Sequence, residues 1–233
     1  ISDAHCGDRN FDEQKLKNLV KDIKNQENTY AVLIGDLINN ATKNSKSNVY
    51  LDLLSPREQK KRIIDILSEI QHKILGATNG NHEERTSNES GQDITEDIAE
   101  ALKIPYDPFG ILYNIKCGSF KRGKLNYTLY TTHGSAGGGT VGNALNKLLS
   151  LKNIVHADLY FMGHTHKIAA TKDMIYMPDT RHGKIIKVTR HYAIAGSYLD
   201  YGGYAERLCL APTPTGFPIA HLDGDKKQIK ITI

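Results

Sequence analysis

Five short polar signals fall in one order along the chain: Asp3-Ala4-His5, Gly35-Asp36, Gly80-Asn81-His82-Glu83, His133-Gly134 and Gly163-His164-Thr165-His166. Each follows an apolar, β-prone run, most clearly Ala31-Val32-Leu33-Ile34 before Gly35 and Leu159-Tyr160-Phe161-Met162 before Gly163. Such a run reads as a buried strand, and the polar signal as the loop where that strand ends. Several strand ends can converge on one point, so the order of these signals predicts a fold that gathers Asp, Asn and His side chains at one place. Within Asp3-Ala4-His5 and His164-Thr165-His166 the candidate ligands are two apart. In extended backbone, residues i and i+2 project to the same side, so each pair is expected to chelate.

The connecting segments supply the rest of an α/β pattern. Leu16, Leu19, Val20 and Ile23 recur at helical spacing between a first strand at Ile1 and a second over residues 30–34, a βαβ start that sets a parallel sheet. Ser55-Pro56-Arg57-Glu58 reads as a capping box with Pro in the first turn, opening a helix to about Gln71. Residues 73–78 return as a strand into the Gly80-Asn81-His82-Glu83 loop, and a shorter helix is expected over 94–102, followed by a turn at Pro105-Tyr106-Asp107-Pro108. Residues 112–117 and 125–132 read as a hairpin around Lys121-Arg122-Gly123-Lys124, with a helix over 141–151. Strands are then expected near 174–177, 185–195, 218–222 and 228–233.

Composition bounds the function classes. The 233 residues suit one domain, 1–233, and with 39% hydrophobic and 24% charged residues the chain is expected to be soluble. No apolar stretch approaches the roughly 20 residues a membrane helix needs, so no membrane partner is expected. Because Ile1 starts inside an expected strand, there is room for native residues in front of it. Cys6, Cys117 and Cys209 are odd in number and far apart, which argues against a disulfide framework and for a reducing cytoplasm. Cys6 adjoins His5 but reads as small packing. The formal net charge of +4 favours an anionic substrate without demanding nucleic acid.

Taken together, SDAH, GDLIN, GNHE, THG and GHTH resemble the motif series of the calcineurin-like metallophosphoesterases over residues 1 to about 204. The resemblance implies two packed mixed β-sheets flanked by helices, a four-layer αββα sandwich. It also implies a binuclear metal centre: Asp3, His5 and His166 on one ion, Asn81, His133 and His164 on the other, and Asp36 bridging both. Imidazole, carboxylate and amide ligands suit Mn²⁺, Fe, Zn²⁺ or Ni²⁺ rather than a thiolate-seeking ion, and Mn²⁺ is the first expectation. The reaction implied is in-line attack on phosphorus by a metal-bridging hydroxide, without a covalent enzyme intermediate. His82 is then the general acid that faces the leaving oxygen. Many relatives orient this His with an Asp three residues after the bridging Asp, whereas here that position is Asn39. An amide can hold the ring but stabilises imidazolium less than a carboxylate, so a lower His82 pKa is expected.

Several residues keep two readings at this point. Arg85 can reach a substrate phosphate with its guanidinium fork, or cap the local helix or pair with Glu83 or Glu84. The run Gly134-Ser135-Ala136-Gly137-Gly138-Gly139 can expose amides as an anion cradle or serve as a plain turn. Tyr198, Tyr201 and Tyr204 can stack a base or sit half-buried in a strand and turn. His72, His156, His182, His191 and His221 are read as surface or structural, with His182 the one outside candidate for a substrate contact. The resemblance leaves the phosphoester open. GDLINN lacks the Asp-Arg-Gly of the family's protein phosphatases, and the cadence of GDLINNATKNS, GNHEER, THGSAGGG and GSYLDYGGYAER is similar to small phage and prophage members described as DNA-repair-exonuclease-like. The expected substrate is therefore nucleic acid or a nucleotide, cleaved by a phosphodiesterase. Phosphomonoester hydrolysis on nucleotides or phosphoproteins is the alternative, and a metal-binding module without catalysis is disfavoured because His82 and all seven ligands are present. Lys43, Lys46, Arg85 and residues 121–124 are the candidates for gripping flanking phosphates.

Overall fold

In chain order the elements are α1 (Glu13–Asn25), β1 (Ala31–Ile34), α2 (Pro56–Ser68), β2 (Ile74–Thr78), α3 (Asn81–Ser90), α4 (Ile94–Leu102), β3 (Tyr106–Asp107), β4 (Ile111–Cys117) and β5 (Leu125–Thr132). They continue as α5 (Val141–Ser150), β6 (Leu159–Met162), β7 (Ile168–Asp179), β8 (Lys184–Ala195), α6 (Gly203–Arg207), β9 (Ile219–Leu222) and β10 (Ile229–Thr232). The structure, a computed structural model, describes residues 1–45, 49–118, 124–135, 139–207 and 209–233, without the side chain of Tyr204. Lys46, Lys121, Arg122, Gly123, Ala136, Gly137 and Gly138 thus lie outside the described residues.

Strands β1, β2 and β3 form a three-stranded sheet that is parallel throughout. A five-stranded sheet in the order β4-β5-β6-β8-β7 is mixed: β5, β6 and β8 run parallel, and β4 and β7 add to its two edges antiparallel. Strand alternation decides how they stack. Val32 and Ile34 of β1 point into a core shared with Tyr127, Leu129, Leu159, Phe161, Ala193 and Ala195 of the larger sheet. Ala31 and Leu33 point the other way, into a core with α1, α2 and α4. On the far side of the larger sheet, Tyr160 and Met162 meet Ala144 and Leu148 of α5. The result is helices, sheet, sheet, helix, the four layers expected. Leu33 is fully buried, so Leu33→Ala is expected to cost about 2–5 kcal/mol. The check is urea unfolding, with a lowered midpoint at unchanged slope.

Local chemistry accounts for most element boundaries. Ser55 caps α2 through the Glu58 amide while the Glu58 carboxylate accepts from the Ser55 amide, the reciprocal pair anticipated. Helix α2 stops at Ser68, short of the expected Gln71.

Three expectations are corrected. Residues 1–5 form no strand of their own; they run beside β1 through Ile34 N–H to the Ile1 carbonyl at 2.9 Å and Asp3 N–H to the Gly35 carbonyl at 3.1 Å. Left-handed backbone at Asp3 and His5, both with φ 50°, breaks the ladder there. Tyr106–Asp107 is a short strand rather than a turn, and the turn follows it, with the Asp107 carboxylate accepting from the amides of Phe109 and Gly110. The Gly80-Asn81-His82-Glu83 signal, read as a loop, opens helix α3.

Among the described residues no helix is long and apolar enough to cross a membrane.

Candidate metal centre

The site assembles where β1, β2 and β6 end. The peptide at Gly35 comes so close to Gly80 that a Cβ on Gly35 would lie 2.6 Å from the Gly80 Cα, and Gly35 has φ 70°. Only glycine fits that approach. It brings the Asp36 carboxylate to the first turn of α3, where Gly80 supplies no side-chain cap. Asp36 Oδ1 takes that role, accepting from the His82 amide at 2.9 Å.

The seven expected ligands converge in two groups around Asp36. In the first, His5 Nε2 and His166 Nε2 are 3.0 Å apart, with Asp3 Oδ1 3.3 Å from His166 Nε2 and 4.0 Å from His5 Nε2. In the second, Asn81 Oδ1 lies 2.6 Å from His164 Nδ1 and 3.1 Å from His133 Nε2, and these two nitrogens are 3.2 Å apart. Asp36 Oδ2 faces both, at 3.3 Å from His133 Nε2 and 3.9 Å from His5 Nε2.

Those spacings fit a metal site. Adjacent ligand atoms each about 2.1 Å from one ion are roughly 3 Å apart in octahedral geometry. Asp3 Oδ1 is wholly buried without a hydrogen-bond partner, which is costly for an acid oxygen unless a cation completes it. Asp3, His5 and His166 form one group able to hold an ion, Asp36, His133 and His164 another, and His5 and Asp36 also lie within ligand distance of His82. Other polar atoms orient two of the ligands: His133 Nδ1–H donates to the Ile34 carbonyl at 2.7 Å, and Asp3 Oδ2 accepts from the Ser2 hydroxyl and the His164 amide.

The backbone corrects the reason given for chelation. Asp3, His5, Asp36, His164 and His166 all have φ between 50° and 66°, so the paired ligands are not on extended chain. Left-handed residues on either side of Ala4 and of Thr165 turn each pair inward instead. This conformation is uncommon for non-glycine residues, and its concentration at five of the seven positions marks a place where local strain is held by surrounding structure.

Without ions, the charges rearrange around Asp36. Burial opposes ionisation of this carboxyl, yet the His133 and His82 imidazoles hold it well below the usual range. Burial likewise works against a charged His133, but the Asp36 carboxylate overrides it and lifts that imidazole to about 10. His5 falls well below its ordinary value through burial and the neighbouring His82 and His166 rings.

His82 stands beside the ligands with Nε2 3.9 Å from Asp36 Oδ2 and its ring edge-on to His5. Its pKa is lowered, by burial first and with Arg85 adding to it against Asp36. The orienting contact comes from the main chain of Asn39, not from its side chain. His82 Nδ1–H donates to the Asn39 carbonyl at 2.6 Å, while the Asn39 amide turns away to Asp52 Oδ1 at 2.7 Å. Arg85 Nη1 donates to the same carbonyl at 3.1 Å and to that of Asn40 at 3.4 Å, so its guanidinium braces the loop after Asp36.

Glu83, read from sequence only as a partner for Arg85, is fully buried and accepts from the amides of Asp36 at 3.0 Å and Ile38 at 2.9 Å. Burial and the Asp36 charge raise its carboxyl to about 7. Its place inside the GNHE signal was the available clue.

The other candidates lie outside the ligand groups, although the Tyr198 amide donates to the Asp3 carbonyl at 3.1 Å. Tyr198 is buried and stacked with Phe217 in the helix-side core, and Tyr201 is exposed. His182 pairs with Asp179 at the exposed tip between β7 and β8. Cys6 is buried and free, its thiol pushed up to about 12 chiefly by burial.

The family model for calcineurin-like phosphoesterases matches residues 1–168, well over half of the chain and including every expected ligand. The chain belongs to the calcineurin-like phosphoesterases. Among solved structures, this phosphoesterase is similar to the calcineurin-like phosphoesterase YfkN from Bacillus subtilis, at 13% identity and TM-score 0.42, covering 85% of this chain and 80% of that one. It is also similar to Vps29 complexed with zinc from Entamoeba histolytica, at 13% identity and TM-score 0.37, covering 86% and 96%. A search of curated protein sequences returns no match. Membership of the family implies divalent metal ions, and the two groups around Asp36 are the candidate ligands for them.

Proposed function

We propose that this calcineurin-like phosphoesterase is a binuclear phosphodiesterase acting on nucleic acid or nucleotides, with Mn²⁺ as its working ion. The observation that carries the reading is one carboxylate, Asp36, facing two ligand groups, with the imidazole of His82 3.9 Å from it. Asp3, His5 and His166 would hold one ion, Asn81, His133 and His164 the other, and Asp36 both. Two such ions supply an activated water and neutralise charge on the phosphoryl oxygens. The chain's own contribution is geometric and protonic. His82 keeps Nδ1–H on the Asn39 carbonyl, which leaves Nε2 to carry a proton to the departing oxygen.

The diester preference rests on the absent Asp-Arg-Gly after Asp36 and on the two lysines, Lys43 and Lys46, in the segment that follows it. Lys43 is exposed in the loop after Asn40, whose Thr42 and Asn44 are tied to Glu89 of α3. A nucleic acid engaging Lys43 and Lys46 releases counterions. Affinity should then fall by roughly 0.7 log unit per log unit of salt for each phosphate contacted on a single strand. The Mn²⁺-loaded protein is expected to cleave an oligonucleotide faster than it dephosphorylates a mononucleotide, with binding that is steeply salt-sensitive and weakened by Lys43→Glu with Lys46→Glu. Efficient phosphate release from mononucleotides together with intact oligonucleotides would establish the phosphomonoesterase reading instead.

A further inference from the structure

We propose that Gln59, a side chain of α2 outside every metal-site motif, is a positioning residue that fixes the ring of His82 through a single peptide unit. The inference rests on His82 as the proton donor and extends it to what holds that donor in place. Gln59 is fully buried, and both ends of its amide are engaged. Oε1 accepts from the Asn40 amide at 2.8 Å. Nε2 donates to Asp52 Oδ2 at 2.8 Å and to the Leu54 carbonyl at 2.8 Å.

The Asn40 N–H and the Asn39 carbonyl are the two ends of one peptide bond. Because a peptide is planar, fixing the direction of its N–H fixes the direction of its C=O. Gln59 grips the N–H end, and His82 Nδ1–H donates to the C=O end at 2.6 Å. Hydrogen bonds in such a chain also polarise one another, so the Gln59 contact strengthens the carbonyl as an acceptor.

The peptide needs a clamp. Asn40 is left-handed, with φ 45°, and fully buried; if the 39–40 unit rotated, the carbonyl would leave His82. The far side of the clamp is equally tight. A Cβ on Gly7 would lie 2.4 Å from the Gln59 amide group, and Gly7, at φ 102°, follows the Asp3-His5 segment by two residues. Asp52 completes the arrangement by accepting from both Gln59 and the Asn39 side chain, which fixes which way the Gln59 amide faces. The alternative is that Gln59 merely docks α2.

The test uses three variants of the full chain and two readouts. Gln59→Met keeps bulk but removes both hydrogen-bonding ends. Gln59→Glu sets a carboxylate against Asp52. Gln59→Glu with Asp52→Asn reverses the donor and acceptor across that contact and keeps the acceptor for the Asn40 amide, while the Leu54 carbonyl still loses its donor. The first readout is the His82 Nδ1–H proton resonance in metal-free protein, assigned by its loss in His82→Ala. It should shift or exchange away in Gln59→Met and Gln59→Glu and return in the double variant. The second is rate on phosphodiesters with alkyl and nitrophenyl leaving groups at full metal content. Gln59→Met is expected to lose roughly 10–100-fold on the alkyl ester and much less on the nitrophenyl ester, and the double variant should recover part of what Gln59→Glu loses. An unmoved His82 resonance with equal losses on both esters assigns Gln59 to docking α2 and overturns the proposal. A resonance lost as expected, but with His82→Ala itself blind to the leaving group, upholds the link and removes the proton-donor reading instead.

Discussion

Asp36→Asn is expected to deplete both ion sites together and to cost on the order of 10³-fold or more in hydrolysis, the several kcal/mol of charge stabilisation that a metal centre supplies. Asp36 faces both ligand groups. A carboxylate there also offsets the repulsion between two divalent cations, which a neutral amide does not. The substitution isolates this role because the fold-supporting contacts survive it. An Asn Oδ1 can still accept from the His82 amide, and the Asp36 main-chain amide keeps Glu83. Asn81→Ala and His133→Ala, by contrast, should empty or weaken mainly the second group. Metal analysis after dialysis gives the answer: two ions per chain in the parent, a deficit in both sites for Asp36→Asn, and about one ion for the single-group variants. A parent that saturates at one Mn²⁺ per chain, with Asp36 unliganded, would rule out the shared centre.

How much of this was legible depended on what kind of information each feature carries. The ligands are visible in sequence because Asp, Asn and His are chemically distinctive and glycines mark their turns, and the Gly35–Gly80 contact explains two of those glycines. Helix α1 was readable from apolar spacing and α2 from its capping box, and α4 was expected at its observed bounds. Helix α3 was not. Its residues NHEERTSNES carry no apolar stripe, its one buried residue is Glu83, and its start is set by a carboxylate 46 residues away at Asp36. No periodicity rule sees that.

Conformation at the ligands was equally hidden. The i, i+2 spacing of Asp3 with His5 and His164 with His166 is the same in extended and left-handed chain, so the spacing gave a correct convergence for a wrong backbone reason. At position 39 the side-chain type drew attention, yet the atom that meets His82 is a main-chain carbonyl that every residue possesses. Its orientation depends on Gln59, 20 residues on, which no motif contains. Tertiary contacts of this kind are properties of the folded chain, and sequence patterns carry them only when the residue type itself is unusual.

His82→Ala should retain both ions and lose rate in proportion to how badly the leaving group needs a proton. In the proposed arrangement His82 is not one of the seven ligands. Its Nδ1–H is committed to the Asn39 carbonyl, and Nε2 lies 3.9 Å from Asp36 Oδ2. A nitrophenolate departs readily as an anion, so a missing acid costs little. A sugar alkoxide is far more basic, and its departure draws on the positioned proton, a contribution typically of about 10²–10⁴-fold. The loss in kcat/KM should therefore grow steadily along a series of diesters of rising leaving-group pKa, while metal content stays at the parent value. An equal loss across the series at full metal content would take the acid role away from His82 and leave it as a contact that merely orders the pocket.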